Sequence, residues 1–139
     1  ANCAQVPRTA AVVDSIMEAT SLATAKGGET LISFLEPGTH LRAHCGPSNN
    51  RLTVHLGVVV PGGLEIRVAD DTRGWEEGKC IAFDDSFEHE VIHKGNSVRA
   101  VILMNIWHPE ISEGGKKETM DRLFALSAGS NVARAVHGG

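Results

Sequence analysis

Between Glu29 and His108 the chain alternates apolar and polar residues in short runs separated by turn residues, the pattern of strands with one buried face. Residues 31–35 form one such run, which ends at Pro37-Gly38. Residues 40–44 follow, then the loop Gly46-Pro-Ser-Asn-Asn, then a long strand at 51–60 closed by Pro61-Gly-Gly. Runs at 64–69, 80–83, 89–93 and 98–107 complete the set. Residues 70–78 read as a polar connection carrying Trp75, and Lys94-Gly-Asn-Ser as a hairpin turn. Many short strands with frequent turns predict a sandwich or barrel. Two segments have helical spacing instead. One is residues 9–19, started by Pro7, with Val12, Val13 and Ile16 on one face; the other is residues 114–128, with Met120, Leu123 and Leu126 as its apolar stripe. Its Ala/Gly-rich end reads as frayed. The expected fold is mainly β, with a short N-terminal helix and a C-terminal helix.

The same alternation decides which side chains face together. Arg51, Thr53 and His55 share one face of their strand, opposite Leu52, Val54 and Leu56. His40, Arg42 and His44 share a face, as do His89, Val91 and His93, and Ser33 lies with Leu31 and Leu35. Arg99 stands with Val101, Leu103 and Asn105, a charge on an otherwise apolar face. An unpaired buried charge costs several kcal/mol, so Arg99 needs either an acidic side chain or a carboxylate ligand. His44 and His89 are 45 positions apart, and only a curled sheet would bring them together. A pair of imidazoles suits iron, zinc or copper. A metal beside a buried arginine suggests a redox metal that uses a small organic acid as co-substrate. Gly46 stands two residues after His44, where an iron site of two histidines and one carboxylate places Asp or Glu. Asp84-Asp85-Ser86 reads either as a plain turn or as the source of a carboxylate behind the ligands, with Asp85 orienting one of them or a metal-bound water. Trp75-Glu-Glu-Gly reads most simply as a turn packing one aromatic over a sheet edge, and His108, before Pro109, as a non-ligand.

Composition adds bounds rather than chemistry. The 139 residues are 42% apolar and 22% charged, with a net charge of −4, which fits one globular domain over residues 1–139. No basic stripe suggests nucleic acid. No apolar run approaches the roughly 20 residues that span a bilayer, and no signal peptide is visible. Cys3, Cys45 and Cys80 read as free thiols, and strand alternation turns Cys45 away from His44. The chain begins at Ala1 rather than Met, as expected of a fragment or a processed form.

Longer motifs carry a family resemblance. Pro37-Gly-Thr-His-Leu-Arg-Ala-His-Cys-Gly-Pro-Ser-Asn-Asn-Arg-Leu-Thr-Val-His-Leu-Gly, Trp75-Glu-Glu-Gly-Lys, Phe83-Asp-Asp-Ser-Phe-Glu-His-Glu-Val and Trp107-His-Pro-Glu resemble the aspartyl/asparaginyl β-hydroxylase family, from about Asn2 to Glu110. The resemblance implies a double-stranded β-helix, or jelly-roll. It implies an Fe(II) and 2-oxoglutarate dependent dioxygenase that consumes O2, releases succinate and CO2, and hydroxylates the β-carbon of an aspartyl or asparaginyl-type residue in a peptide. His44 and His89 match the iron ligands, and Arg99 the arginine that pairs with the distal carboxylate of 2-oxoglutarate. Ser33 and His55 match the residues that support the co-substrate carboxylates, and Arg51 is a candidate for gripping an acidic substrate side chain. Thr53 stands where animal members have a second arginine, which loosens the expected preference for aspartate. Gly46 fits the resemblance, because animal members also lack the metal-binding carboxylate. Alternatives are hydroxylation of a free amino acid or a lipid-linked acyl chain, a halogenase that seats chloride beside Gly46, and a non-catalytic jelly-roll module. The expected location is cytoplasmic or, by likeness to animal members, the lumen of the endoplasmic reticulum.

Overall fold

The computed structural model describes residues 2–136, and the side chains of residues 3–126. Eight strands follow two short helices: β1 (Thr30–Leu35), β2 (His40–His44), β3 (Arg51–Val59), β4 (Leu64–Val68), β5 (Asp71–Arg73), β6 (Cys80–Phe83), β7 (His89–His93) and β8 (Arg99–Trp107). They form two four-stranded sheets, ordered β1-β8-β3-β6 and β2-β7-β4-β5, with antiparallel pairing throughout. Every connection except β4–β5 crosses from one sheet to the other. The result is the double-stranded β-helix that the resemblance implied, one form of the sandwich or barrel that the strand pattern predicted. Leu35, Leu64, Ile66, Trp75, Val91 and Val101 fill the space between the sheets.

Two expectations about connections change. Lys94-Gly-Asn-Ser is not a hairpin turn, because β7 and β8 lie in different sheets. His93 explains the redirection. Its ring is fully buried, its Nε2 donates to the Ser97 carbonyl at 2.8 Å, and its Nδ1 accepts from the Gly95 N–H at 3.1 Å. The side chain thus takes hydrogen bonds that a hairpin ladder would use. The connection at 70–78 contains β5, a three-residue edge strand that is exposed throughout and so shows no apolar alternation.

The N-terminal helix divides into α1 (Pro7–Asp14) and α2 (Met17–Thr24). The Ser15 hydroxyl donates to the Val12 carbonyl at 2.6 Å, and Ile16 turns extended at ψ 93°, the competition with the helical ladder that serine favours. Val12 faces solvent, while Val13 and Ile16 are half-buried. The real anchor is α2. It buries Ala19 and Leu22, with Ala25 just after it, close to β8, and Ser21 Oγ accepts from the Trp107 indole N–H at 2.9 Å. The C-terminal helix α3 spans Glu113–Val136, longer than expected. Met120 and Leu123 are half-buried but Leu126 is exposed, so the apolar stripe stops at Leu123. That side chain fits beside Leu22 because Gly27 has no Cβ, which would lie 2.8 Å from both leucines.

Leu22→Ala should cost roughly 3 kcal/mol in urea unfolding, because the leucine is fully buried and its loss leaves a cavity. A cost below about 1 kcal/mol would contradict the docking of α2 on β8.

Candidate active site

The site begins with a register shift. His40 pairs with Ile92 and Leu41 with Val91, but His44 pairs with His89. Three steps along β2 therefore match two along β7, a β-bulge with one extra residue. Strict alternation would keep His44 on the face of His40. The bulge instead turns it to the inner face with His89, while His40 stays outside and meets Glu90 at 3.0 Å. The rings of His44 and His89 lie 4.3 Å apart between centroids. In both, Nδ1 points at a backbone carbonyl: Arg42 O at 2.7 Å for His44, and Phe87 O at 2.9 Å for His89. A carbonyl only accepts, so each Nδ1 carries a proton, and a ring in its neutral form offers its Nε2 lone pair. That is the arrangement that orients metal-binding imidazoles. Among the described residues, no three His, Cys, Asp or Glu side chains gather tightly enough to hold a metal. A metal here would have only the two imidazoles of His44 and His89 to hold it.

Across the sheets lies a cationic corner. Arg99, the first residue of β8, is 2% exposed. Its Nη2 donates to Ser33 Oγ on β1 at 3.0 Å, and its guanidinium lies 5.2 Å from the centroid of the Trp75 ring. Its Nε is buried without a partner, and no carboxylate pairs with it among the described residues. His55 stands beside it, with Nδ1 accepting from the Trp75 indole N–H at 3.2 Å. Neutral His55 therefore carries its proton on Nε2, which is also buried and unpartnered. Burial first, then the charges of Arg99 and His89, lower its pKa from 6.5 to about 4. Burial also lowers the pKa of Arg99, though a guanidinium stays protonated at neutral pH. Two buried donors with nothing to bind form an anion cradle. Phe83 joins the two halves, 5.3 Å from the His55 ring and 5.6 Å from the His89 ring.

The absent carboxylate at position 46 has a structural cause. A Cβ on Gly46 would lie 2.5 Å from Asp85 Cγ and 2.6 Å from Asp85 Oδ2. The Asp85 carboxylate thus occupies the space a side chain there would need. Asp85 Oδ2 accepts from Arg51 Nη2 at 3.1 Å, while its Oδ1 is buried and unpartnered. Arg51 Nη1 also donates to the Gly27 carbonyl at 2.9 Å. Arg51 is held in place and would grip a substrate carboxylate only by exchanging Asp85 for it. Thr53 is likewise engaged, accepting from Asn105 Nδ2 at 3.0 Å.

The structure thus brings His44 to His89, and Ser33 and His55 to Arg99, while Arg51 and Asp85 pair with each other. His108 takes no part, its Nδ1 accepting from the Glu110 N–H at 3.3 Å. Trp75 is the main surprise. It is not a cover over a sheet edge but part of the core, 6% exposed, and it fixes both Arg99 and the His55 tautomer. The three cysteines are free and exposed. No described helix is long and apolar enough to cross a membrane.

Two measurements test this geometry. His55 binds protons more weakly in the fold than in the unfolded chain, so stability is complete above about pH 6.5 and falls as pH drops toward 4. The loss should reach roughly 3 kcal/mol. Urea midpoints should show a shallower pH slope in His55→Asn, and identical slopes would contradict a neutral buried ring. Gly46→Ala should cost about 2 kcal/mol, and less in the background of Asp85→Ala. Strict additivity would contradict the shared space.

Comparisons with known proteins bear on the family and the fold. A family profile described as aspartyl/asparaginyl beta-hydroxylase matches residues 1–109. The mouse protein named aspartyl/asparaginyl beta-hydroxylase is 44% identical over 111 residues, covering 79% of this chain and 15% of its own length. Mouse aspartate beta-hydroxylase domain-containing protein 2 is 36% identical over 127 residues, covering 89% of this chain and 36% of its own. The chain therefore spans only a small part of the curated relatives it matches. Among solved structures, the cupin domain of a transcriptional regulator from Enterobacter cloacae superposes with a TM-score of 0.51 at 13% identity, covering 62% of this chain and 86% of that one. A Thermotoga maritima protein described as a predicted oxalate decarboxylase gives 0.50 at 13% identity, covering 62% and 72%. Those two likenesses concern the fold alone. With a matching profile over most of its length, the chain belongs to the aspartyl/asparaginyl beta-hydroxylase family.

Proposed function

We propose that the chain is an Fe(II) and 2-oxoglutarate dependent dioxygenase. It hydroxylates the β-carbon of an aspartyl or asparaginyl-type residue in a peptide, with succinate and CO2 as co-products. The observation that carries this reading is Arg99, a buried guanidinium with an idle Nε beside the idle Nε2–H of His55. A small dicarboxylate supplies the charge this corner lacks. Its distal carboxylate would take the guanidinium fork. Ser33 Oγ, which already accepts from Arg99, keeps its own proton to donate. His55 would donate from Nε2, and because it stays neutral it adds no second cation. Trp75 screens the corner from water, which strengthens each of these contacts.

His44 and His89 would hold the iron through Nε2. Iron and co-substrate together supply the redox chemistry, in which O2 oxidises 2-oxoglutarate to succinate and CO2 and leaves one oxygen atom on a substrate carbon in place of hydrogen. Asp85, in the space left open by Gly46, would offset part of the metal's charge from behind the two ligands. The aspartyl or asparaginyl substrate class follows the names of the relatives.

Calorimetry with Mn(II)-loaded protein tests the reading. Arg99→Ala should weaken 2-oxoglutarate binding by about 100-fold or more while leaving metal affinity unchanged. His44→Ala and His89→Ala should each lose the metal. Undiminished 2-oxoglutarate affinity in Arg99→Ala would contradict the proposal, as would a substrate peptide gaining one oxygen atom without equimolar succinate.

A further inference from the structure

A cavity lies beside Phe83, whose ring also meets those of His55 and His89. It is a cleft of about 400 Å³ between the edge strands β5 and β6, within the usual size range of small-ligand sites. Its floor is apolar, made by Ile66, Val68, Ile81 and Phe83, with Ala82 on its solvent side. Its rim carries Asp71, Arg73 and Asp84. Asp71 and Arg73 neutralise each other at 2.7 Å, so Asp84 is the charge left over. The inner end abuts the metal side of the barrel. Val68 is the direct strand partner of His89, and the Phe83 ring lies 5.6 Å from the His89 ring. Arg99 and Ser33 of the anion cradle sit on β8 and β1, away from β6, while its His55 sits on β3 and pairs with Ile81 of β6. The cleft therefore meets the co-substrate corner at His55, beside Ile81 and Phe83, and the metal side at His89.

We propose that this cleft binds an aliphatic or aromatic side chain of the substrate, on a residue next to the one hydroxylated. The inference rests on the reading of His44, His89 and Arg99 given above. The apolar floor selects the chemistry of the occupant, and its continuity with His89 brings the neighbouring residue to the metal. The excess acid on the rim disfavours acidic flanking residues and tolerates neutral or basic ones. Ala82 is exposed on β6, so the cleft opens directly to solvent and admits a peptide from the side.

The test uses N-acetylphenylalaninamide as the probe, titrated into the full 15N-labelled chain without metal or co-substrate. Backbone amide shifts should saturate at Ile66, Val68, Ile81, Ala82 and Phe83, and N-acetylserinamide should leave those positions unmoved. Ala82→Trp, a change at an exposed edge position, should weaken the probe by about tenfold or more. Shifts that map elsewhere, equal shifts from the serine probe, or unchanged affinity in Ala82→Trp would overturn the proposal. Adding Mn(II) and 2-oxoglutarate should leave probe affinity within about twofold, whereas displacement of the probe by 2-oxoglutarate would overturn the assignment to substrate. Failure of 2-oxoglutarate to bind at all counts against the dioxygenase reading alone, because the metal-free titration judges the cleft independently.

Discussion

One extra residue in β2 holds the site together. Without the shift between Leu41 and His44, the His44 ring would leave the barrel with His40, and His89 would face the interior alone. With it, two imidazoles from adjacent strands meet at 4.3 Å, each held by a backbone carbonyl two residues earlier. The same irregular stretch leads into Gly46, whose amide donates to the Asp85 carbonyl at 2.6 Å. Bulge, glycine and carboxylate are one unit, in which the chain turns inward and the vacated side-chain space fills with an acid from the β6–β7 connection. The Asp85 carboxylate thus lies against the position where residue 46 would carry a side chain.

The other half of the site is held together by a deficit. A buried guanidinium normally meets a carboxylate, because an uncompensated charge in a dry interior is costly. Arg99 has only the Ser33 hydroxyl and the face of Trp75, and such partners offset part of that cost. Fold stability is lower for it, and the deficit becomes affinity for any anion that completes the set. His55 follows the same logic in neutral form. Trp75 fixes its tautomer and points its remaining N–H into the same space. The histidine pair and the Arg99 corner lie on opposite sheets, so the jelly-roll sets the distance between them.

Strands and site were legible in the chain to different degrees. Period-two alternation located seven strands and isolated Arg99, because a charge in a run of valine and leucine has few explanations. It failed where local chemistry departs from alternation. The bulge at 41–44 carries no glycine or proline to announce it, so His44 was assigned the face of His40. The Trp75 segment hides its role among charged neighbours, and only the fold reveals the indole between Arg99 and His55. β5 is too short and polar to show a pattern. The crossing after His93 resembles a hairpin turn until the ring's two hydrogen bonds are seen. Helix spacing over 9–19 did not reveal that the Ser15 hydroxyl interrupts the ladder. The residues in the site were readable, but the hydrogen bonds that aim them were not.

An anaerobic crystal of the chain with Mn(II) and 2-oxoglutarate tests the central claim most directly, since manganese holds the co-substrate without turnover. The account predicts metal on the Nε2 atoms of His44 and His89, with the distal carboxylate of 2-oxoglutarate on Arg99 and within reach of Ser33 and the His55 Nε2–H. Metal bound away from the histidine pair, or a carboxylate that leaves Arg99 Nε and His55 Nε2 unpartnered, would contradict it.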